Sequence, residues 1–235
     1  MRLIALETAT EACSAALWVD GEIRFRMERE AARRHGELIL RQVDQLLAEA
    51  GLKPGDLDAV AAGRGPGAFT GVRLGLGVAQ GLAFAVGCPV VPVSTLAALA
   101  QQAFDRDTDQ VLALLDARMG EVYWSLNTRD LEGRVQWGQE RLSRPEEVDA
   151  HWSTGRRSAL GSGVPPCAAI LEAAGLAAAE MDAAALPRAR EVAVLGAAAF
   201  LRGEAVSPER AQPVYLRDRV AEPTRGPGPV RGART

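Results

Sequence analysis

The chain has 235 residues, 48% of them hydrophobic, enough for one large core or two modest ones. Lysine and arginine number 27 against 30 aspartates and glutamates, a net charge of -3, so no global field draws the chain to nucleic acid or anionic lipid. Cys13, Cys88 and Cys167 are odd in number, far apart and outside any C-x-x-C spacing, which speaks against a disulfide framework or a zinc site and for a reducing compartment.

The run Leu3-Ile4-Ala5-Leu6 meets Glu7 at once, too short for a signal-peptide core, and reads as a first strand. Strands over 15–19 and 23–29 follow, joined by Asp20-Gly21, a hairpin turn signal. Over 34–50, Ile39, Val43, Leu46, Leu47 and Ala50 recur at helical spacing and Gly51 supplies a stop. A short buried strand over 58–62 leads into Gly63-Arg64-Gly65-Pro66-Gly67-Ala68-Phe69-Thr70-Gly71 and then a helix over 70–86, a βα unit. The most apolar stretch, 72–86, is interrupted by Arg73, Gln80 and glycines, so no membrane-spanning segment is expected. A strand over 90–93 precedes a helix capped by Ser94 that runs toward Phe104.

The polar residues 105–109 mark a boundary between an N-terminal lobe, 1–104, and a C-terminal lobe, 105–216. Strands over 111–115, 121–126 and 135–140 repeat the strand-rich opening, and helices follow over 165–174 and 190–202, the last ended by Gly203. Pro223, Gly226, Pro227, Gly228, Pro229 and Gly232 crowd the end, so residues 217–235 are expected to form a disordered tail. Arginines 217, 219, 225, 231 and 234 give that tail a basic bias; an idle, solvated tail is preferred over contact with nucleic acid.

The glycine-rich run stands where a helix N-terminus suits an anion, but it lacks the lysine and hydroxyl of a phosphate-binding loop. A tight turn with close packing is the preferred reading. In the helix that follows, Gly71 and Gly75 lie four apart, as do Gly77 and Gly81, among residues almost all apolar. Such a helix needs cover on two sides. Leu74, Gly77, Val78 and Gly81 fall on one stripe and, with Leu40 and Leu47 of the preceding helix taken as outward, make a candidate helix-bundle interface. The alternative is a helix buried centrally in one domain. Asp116 and Arg118 flank a tight connection, where an ion pair shaping the turn is preferred over a binding role. Residues 211–217 read as a segment that docks Tyr215 and Leu216 on the body. His35 and His151 are the only histidines, without metal-ligand spacing, and no G-x-S-x-G turn is present.

Leu3-Ile4-Ala5-Leu6-Glu7-Thr8, Gly65-Pro66-Gly67-Ala68-Phe69-Thr70-Gly71-Val72-Arg73, Leu115-Asp116-Ala117-Arg118 and Pro213-Val214-Tyr215-Leu216-Arg217, in that order, resemble the bacterial TsaB (YeaZ) family over residues 1–217. Glu7 stands where that family commonly has aspartate, and Ala68 where it has serine. The resemblance implies an α/β fold of two actin-like, sugar-kinase-like (ASKHA) lobes, mixed sheets flanked by helices. It also implies a cytoplasmic, non-catalytic subunit that makes threonylcarbamoyladenosine in tRNA with the catalytic subunit TsaD and the ATPase TsaE. It implies no intrinsic cofactor, with ATP and metal on the partner subunits, tRNA met through the complex, and a homodimer in isolation. Thr95 and Leu99 occupy the places of the metal-binding histidines of TsaD, and Asp116-Ala117-Arg118 stands in place of its phosphate loop. An ATP-dependent phosphotransferase and a metalloprotease-like glycoprotease remain as rival readings.

Overall fold

In the computed structural model, which describes residues 1–31, 34–104, 108–129 and 135–217, two mixed sheets repeat one topology. Strands β1 (Arg2–Glu7), β2 (Cys13–Val19) and β3 (Glu22–Glu28) form an antiparallel meander. Asp20 (φ 47) and Gly21 (φ 99) are both left-handed, the backbone that a two-residue hairpin with native twist requires. Helix α1 (His35–Ala50) leads to β4 (Ala59–Gly63), α2 (Phe69–Val86), β5 (Val90–Val93) and α3 (Thr95–Phe104). The first sheet has the order β3-β2-β1-β4-β5, with β4 parallel to β1 and β5 parallel to β4.

The second sheet comprises β6 (Gln110–Arg118), β7 (Glu121–Arg129), β8 (Val135–Gln136), β9 (Arg141–Ser143), β10 (Arg157–Leu160) and β11 (Met181–Asp182). Its order is β11-β10-β6-β7-β8, with β9 also on β7; β6 and β7 are antiparallel, and β10 and β11 run parallel to β6. An antiparallel start followed by two parallel strands on the other flank of the first strand thus occurs twice. This is the duplicated two-lobed α/β arrangement of actin-like and sugar-kinase-like proteins.

Period-two alternation sorts the cores. On β1, Ile4 and Leu6 face α1 and α2, packing with Ile39, Val43, Leu46, Val72, Leu76, Ala79 and Ala83. Leu3 and Ala5 face the other way into a core shared by both sheets, filled by α3 and by α5 (Ala189–Leu201) and closed by Val111, Ala113 and Leu115 of β6. Leu112 and Leu114 of β6 point outward onto α4 (Val164–Ala173). Although α5 comes from the second half of the chain, it lies on the first sheet: Ala189 donates its N–H to Ser14 Oγ at 2.9 Å, and a Cβ on Gly196 would come within 2.6 Å of Ala61 Cβ.

Several expectations are corrected. Leu47, taken as outward, is 3% exposed, because it continues the buried stripe of Ile39 and Val43. The strand expected over 135–140 stops at Gln136: Gly138 donates to Asn127 Oδ1, and Glu140 turns inward to Arg64 and Ser94. At 18 residues α2 is, by length and composition, long and apolar enough to cross a membrane, and its inner side packs on the first sheet. Arg217, assigned to the tail, is anchored on Glu121; the rest of the expected tail lies outside the described residues.

Candidate functional site

The glycine-rich run is a seat for the loop that joins β1 to β2. Gly65 is left-handed (φ 91), its carbonyl accepts the Thr95 N–H at 3.0 Å, and Ala68 N–H donates to Ala9 O at 2.7 Å. A Cβ on Gly67 would sit 2.6 Å from Ala9 O, so glycine there permits backbone-on-backbone packing. Pro66 completes the turn, and Phe69 and Thr70 open α2 on its exposed side. The polar groups of the run are thus largely spent within the chain, the arrangement of a tight packed turn.

The glycines of α2 divide into two pairs with opposite surroundings. A Cβ on Gly71 would land on Thr8 O and one on Gly75 on Thr8 Oγ1, while Thr8 Oγ1 donates to Gly71 O at 2.8 Å. This pair grips the β1–β2 loop. At Gly77 and Gly81 an added Cβ would meet nothing within 4 Å among the described residues. They form an outward stripe with Arg73 and with Phe84, which is 83% exposed, flanked by the half-buried Leu74 and Val78. Gly36 of α1 lies 3.6 Å, measured from its would-be Cβ, from Leu74 Cδ1, and Leu40, 46% exposed, follows Gly36 by one helical turn. Of the six residues assigned to the interface, five are on the outer layer and Leu47 is not.

Below the seat lies Glu7, 1% exposed at the end of β1. Its carboxylate accepts Ala9 N–H at 2.7 Å and the Thr95 hydroxyl at 3.1 Å, and it is pressed against Gly63. Burial pushes its pKa up to about 7 despite those hydrogen bonds. Thr95 therefore spends its hydroxyl on Glu7, and Leu99 is fully buried in the shared core. Among the described residues no three His, Cys, Asp or Glu side chains form a metal-sized group.

Between the sheets opens a cleft of about 830 Å³, lined on one side by Thr10, His35 and the start of α2 and on the other by the β6–β7 turn and Ser162. In that turn Arg118, Met119 and Gly120 are all left-handed (φ 63, 57 and 75). Asp116 holds it by accepting Arg118 N–H at 2.7 Å and the Arg118 guanidinium at 3.1 Å. His35 Nε2 is 3.0 Å from Thr10 O and 3.2 Å from Ala12 O, bracing the β1–β2 loop.

The C-terminal segment crosses the mouth of this cleft. Gln80 of α2 donates to Pro208 O and Ala211 O, Val214 N–H donates to Arg64 O, and Tyr215 lies against Phe69 and Arg73. Arg217 then reaches Glu121 and the carbonyls of Ala117 and Arg118 on the opposite lobe. Sequence reasoning expected Tyr215 to dock but missed this bridge. It also missed the second bridge, Arg64 to Glu140 at 3.0 Å with Ser94 on the same carboxylate; partners 76 residues apart leave no local signal.

A family model described as TsaD, tRNA N6-adenosine threonylcarbamoyltransferase, matches residues 28–225. The protein named "tRNA threonylcarbamoyladenosine biosynthesis protein TsaB" from Escherichia coli (strain K12) is 40% identical over 226 residues, covering 94% of this chain and 96% of its own. Its namesake from Haemophilus influenzae is 38% identical over 229 residues, covering 94% and 95%. The solved structure of YeaZ from Pseudomonas aeruginosa superposes with a TM-score of 0.83 at 42% identity, covering 92% of this chain and 99% of that one. Near-complete coverage at this identity, with the fold shared throughout, means that the chain belongs to the TsaB (YeaZ) family and is a paralogue of TsaD.

Proposed function

We propose that the chain is a non-catalytic, complex-forming subunit in the synthesis of threonylcarbamoyladenosine next to the anticodon of tRNA. It acts in the cytoplasm by pairing with TsaD through the outer face of α1 and α2 and by helping to recruit the ATPase TsaE. The proposed lobes are 1–104 and 105–216, tRNA is met through the complex, and the same face closes a homodimer when the chain is alone. The observation that carries this reading is the open stripe of α2. Glycine in a helix interior is unfavourable by about 1 kcal/mol against alanine, and two glycines whose Cβ positions are empty gain nothing from the described residues that offsets it. A second helix backbone approaching that stripe supplies the missing packing.

The non-catalytic part rests on chemistry. An alcohol bound to Glu7 and a buried alkane at positions 95 and 99 offer no pair of imidazoles for a metal, and ATP and metal are assigned to the partner subunits. The cleft favours a second reading, ATP held between the lobes as in a phosphotransferase. Against it, Asp116 places a carboxylate where phosphate would sit, and the segment carrying Tyr215 and Arg217 lies across the mouth.

The test is reconstitution. The chain alone should turn over neither ATP nor peptide, tRNA modification by TsaD and TsaE should require it, and adding TsaD should slow amide exchange in α1 and α2. ATP turnover by the chain alone would favour the phosphotransferase. Protection elsewhere, with α2 unchanged, would move the interface off this face.

A further inference from the structure

The outward side of α2 carries one charge, Arg73, the only ionisable residue in the helix. Its guanidinium carbon lies 3.6 Å from the centroid of the Phe69 ring and 5.3 Å from that of Tyr215, and its Nε donates to the Tyr215 hydroxyl at 2.6 Å. Phe69 precedes it by one helical turn, while Tyr215 arrives from the C-terminal segment. Two ring faces and one hydrogen bond therefore hold the guanidinium plane, and among the described residues no carboxylate pairs with it. The paired Nη groups keep their donors for another molecule. A flexible arginine loses rotamer freedom when it binds; one already clamped has less to lose.

We propose that Arg73 is the polar anchor of the α1–α2 face and takes a carboxylate, end-on and bidentate, from the partner subunit. The inference rests on that face being the partner interface and adds the chemistry of its specificity. A carboxylate suits the place better than an RNA phosphate. Phosphate backbones are gripped by runs of cations, whereas Arg73 stands one turn from Gly77 at the edge of an apolar stripe, and the exposed side of α1 balances its charges, with Glu37 paired to Arg34 and Arg41 followed by Asp44. An apolar contact flanked by one pre-oriented arginine has the composition of a protein hot spot. Tyr215 and Phe69 are positioning residues for Arg73.

The experiment is titration of the purified chain with TsaD at two ionic strengths, using Arg73→Gln, Arg73→Lys, Tyr215→Phe and Tyr215→Ala, with Gly77→Leu as a control for the face. Loss of a charge-assisted bidentate pair should weaken binding about tenfold to hundredfold for Arg73→Gln and flatten the salt dependence. Lysine, a point charge without the fork, should not restore it. Tyr215→Ala should weaken binding and steepen none of the salt dependence, and Tyr215→Phe, which keeps the stack, should fall between Ala and wild type. Weak binding by Gly77→Leu with native affinity and salt slope for Arg73→Gln overturns the anchor while leaving the face intact. Native affinity for both removes the face itself. Intact assembly with a loss confined to tRNA affinity assigns Arg73 to phosphate and overturns the proposal.

Discussion

The two glycine pairs of α2 share a spacing, a helix and a composition, yet do opposite things. Gly71 and Gly75 are small because the β1–β2 loop lies where their side chains would be; Gly77 and Gly81 are small with no described residue there. The first pair is explained by packing with Thr8, and the second is the pair we assign to a partner. A glycine that touches nothing therefore carries more information about partners than one that is tightly packed.

The comparison is broken most severely at the inner pair. Gly71→Ala drives a methyl into Thr8 O, a backbone atom fixed between two strands, and should destabilise folding by about 3 kcal/mol, read as a fall in melting temperature. A native melting temperature would mean that the loop yields and the seat is soft.

Glu7 sharpens the same side. Its folded pKa, pushed up to about 7, lies above the 4.5 of the unfolded chain, so the folded state holds the extra proton. The stability linked to that proton is present in full below pH 4.5 and is lost as pH rises through about 7. Glu7→Gln keeps an acceptor for Ala9 N–H and offers Thr95 Oγ1 a donor, so it should remove this pH dependence and stabilise the fold by roughly 3 kcal/mol at pH 8. Denaturant melts of both proteins from pH 4 to pH 8 check it; parallel curves would contradict the assignment.

The smallest effect belongs to the outer pair. Gly77→Ala adds a methyl in open space on the single chain and, measured at protein concentrations low enough to keep the chain monomeric, should stabilise it by about 1 kcal/mol through helix propensity. A loss of stability would show that the position is packed after all.

Much of the fold was legible. The apolar run Leu3 to Leu6, the 3.6-residue stripe of Ile39, Val43 and Leu46, and the stops at Gly51 and Gly203 are local signals that the structure honours. Leu47 was misread although its signal was present, since it stands four residues after Val43 on the buried stripe. The split between the glycine pairs was not legible, because it depends on Thr8, more than 60 residues away in sequence. The same holds for α5 on the first sheet and for Tyr215 on Arg73, 142 residues apart. Position in the motif singled out Glu7, but nothing local to it announces a carboxylate buried at a strand end.

The central claim is that the outer stripe of α2 is kept bare for another helix, and Gly77→Leu tests it most directly. Its melting temperature and its affinity for TsaD should be measured on the same preparation. Measured on the monomer at low protein concentration, the account predicts a native or raised melting temperature together with an affinity for TsaD about tenfold to hundredfold weaker, the 1–3 kcal/mol expected of overpacking a close helix contact. A folded variant that binds TsaD with native affinity would contradict it.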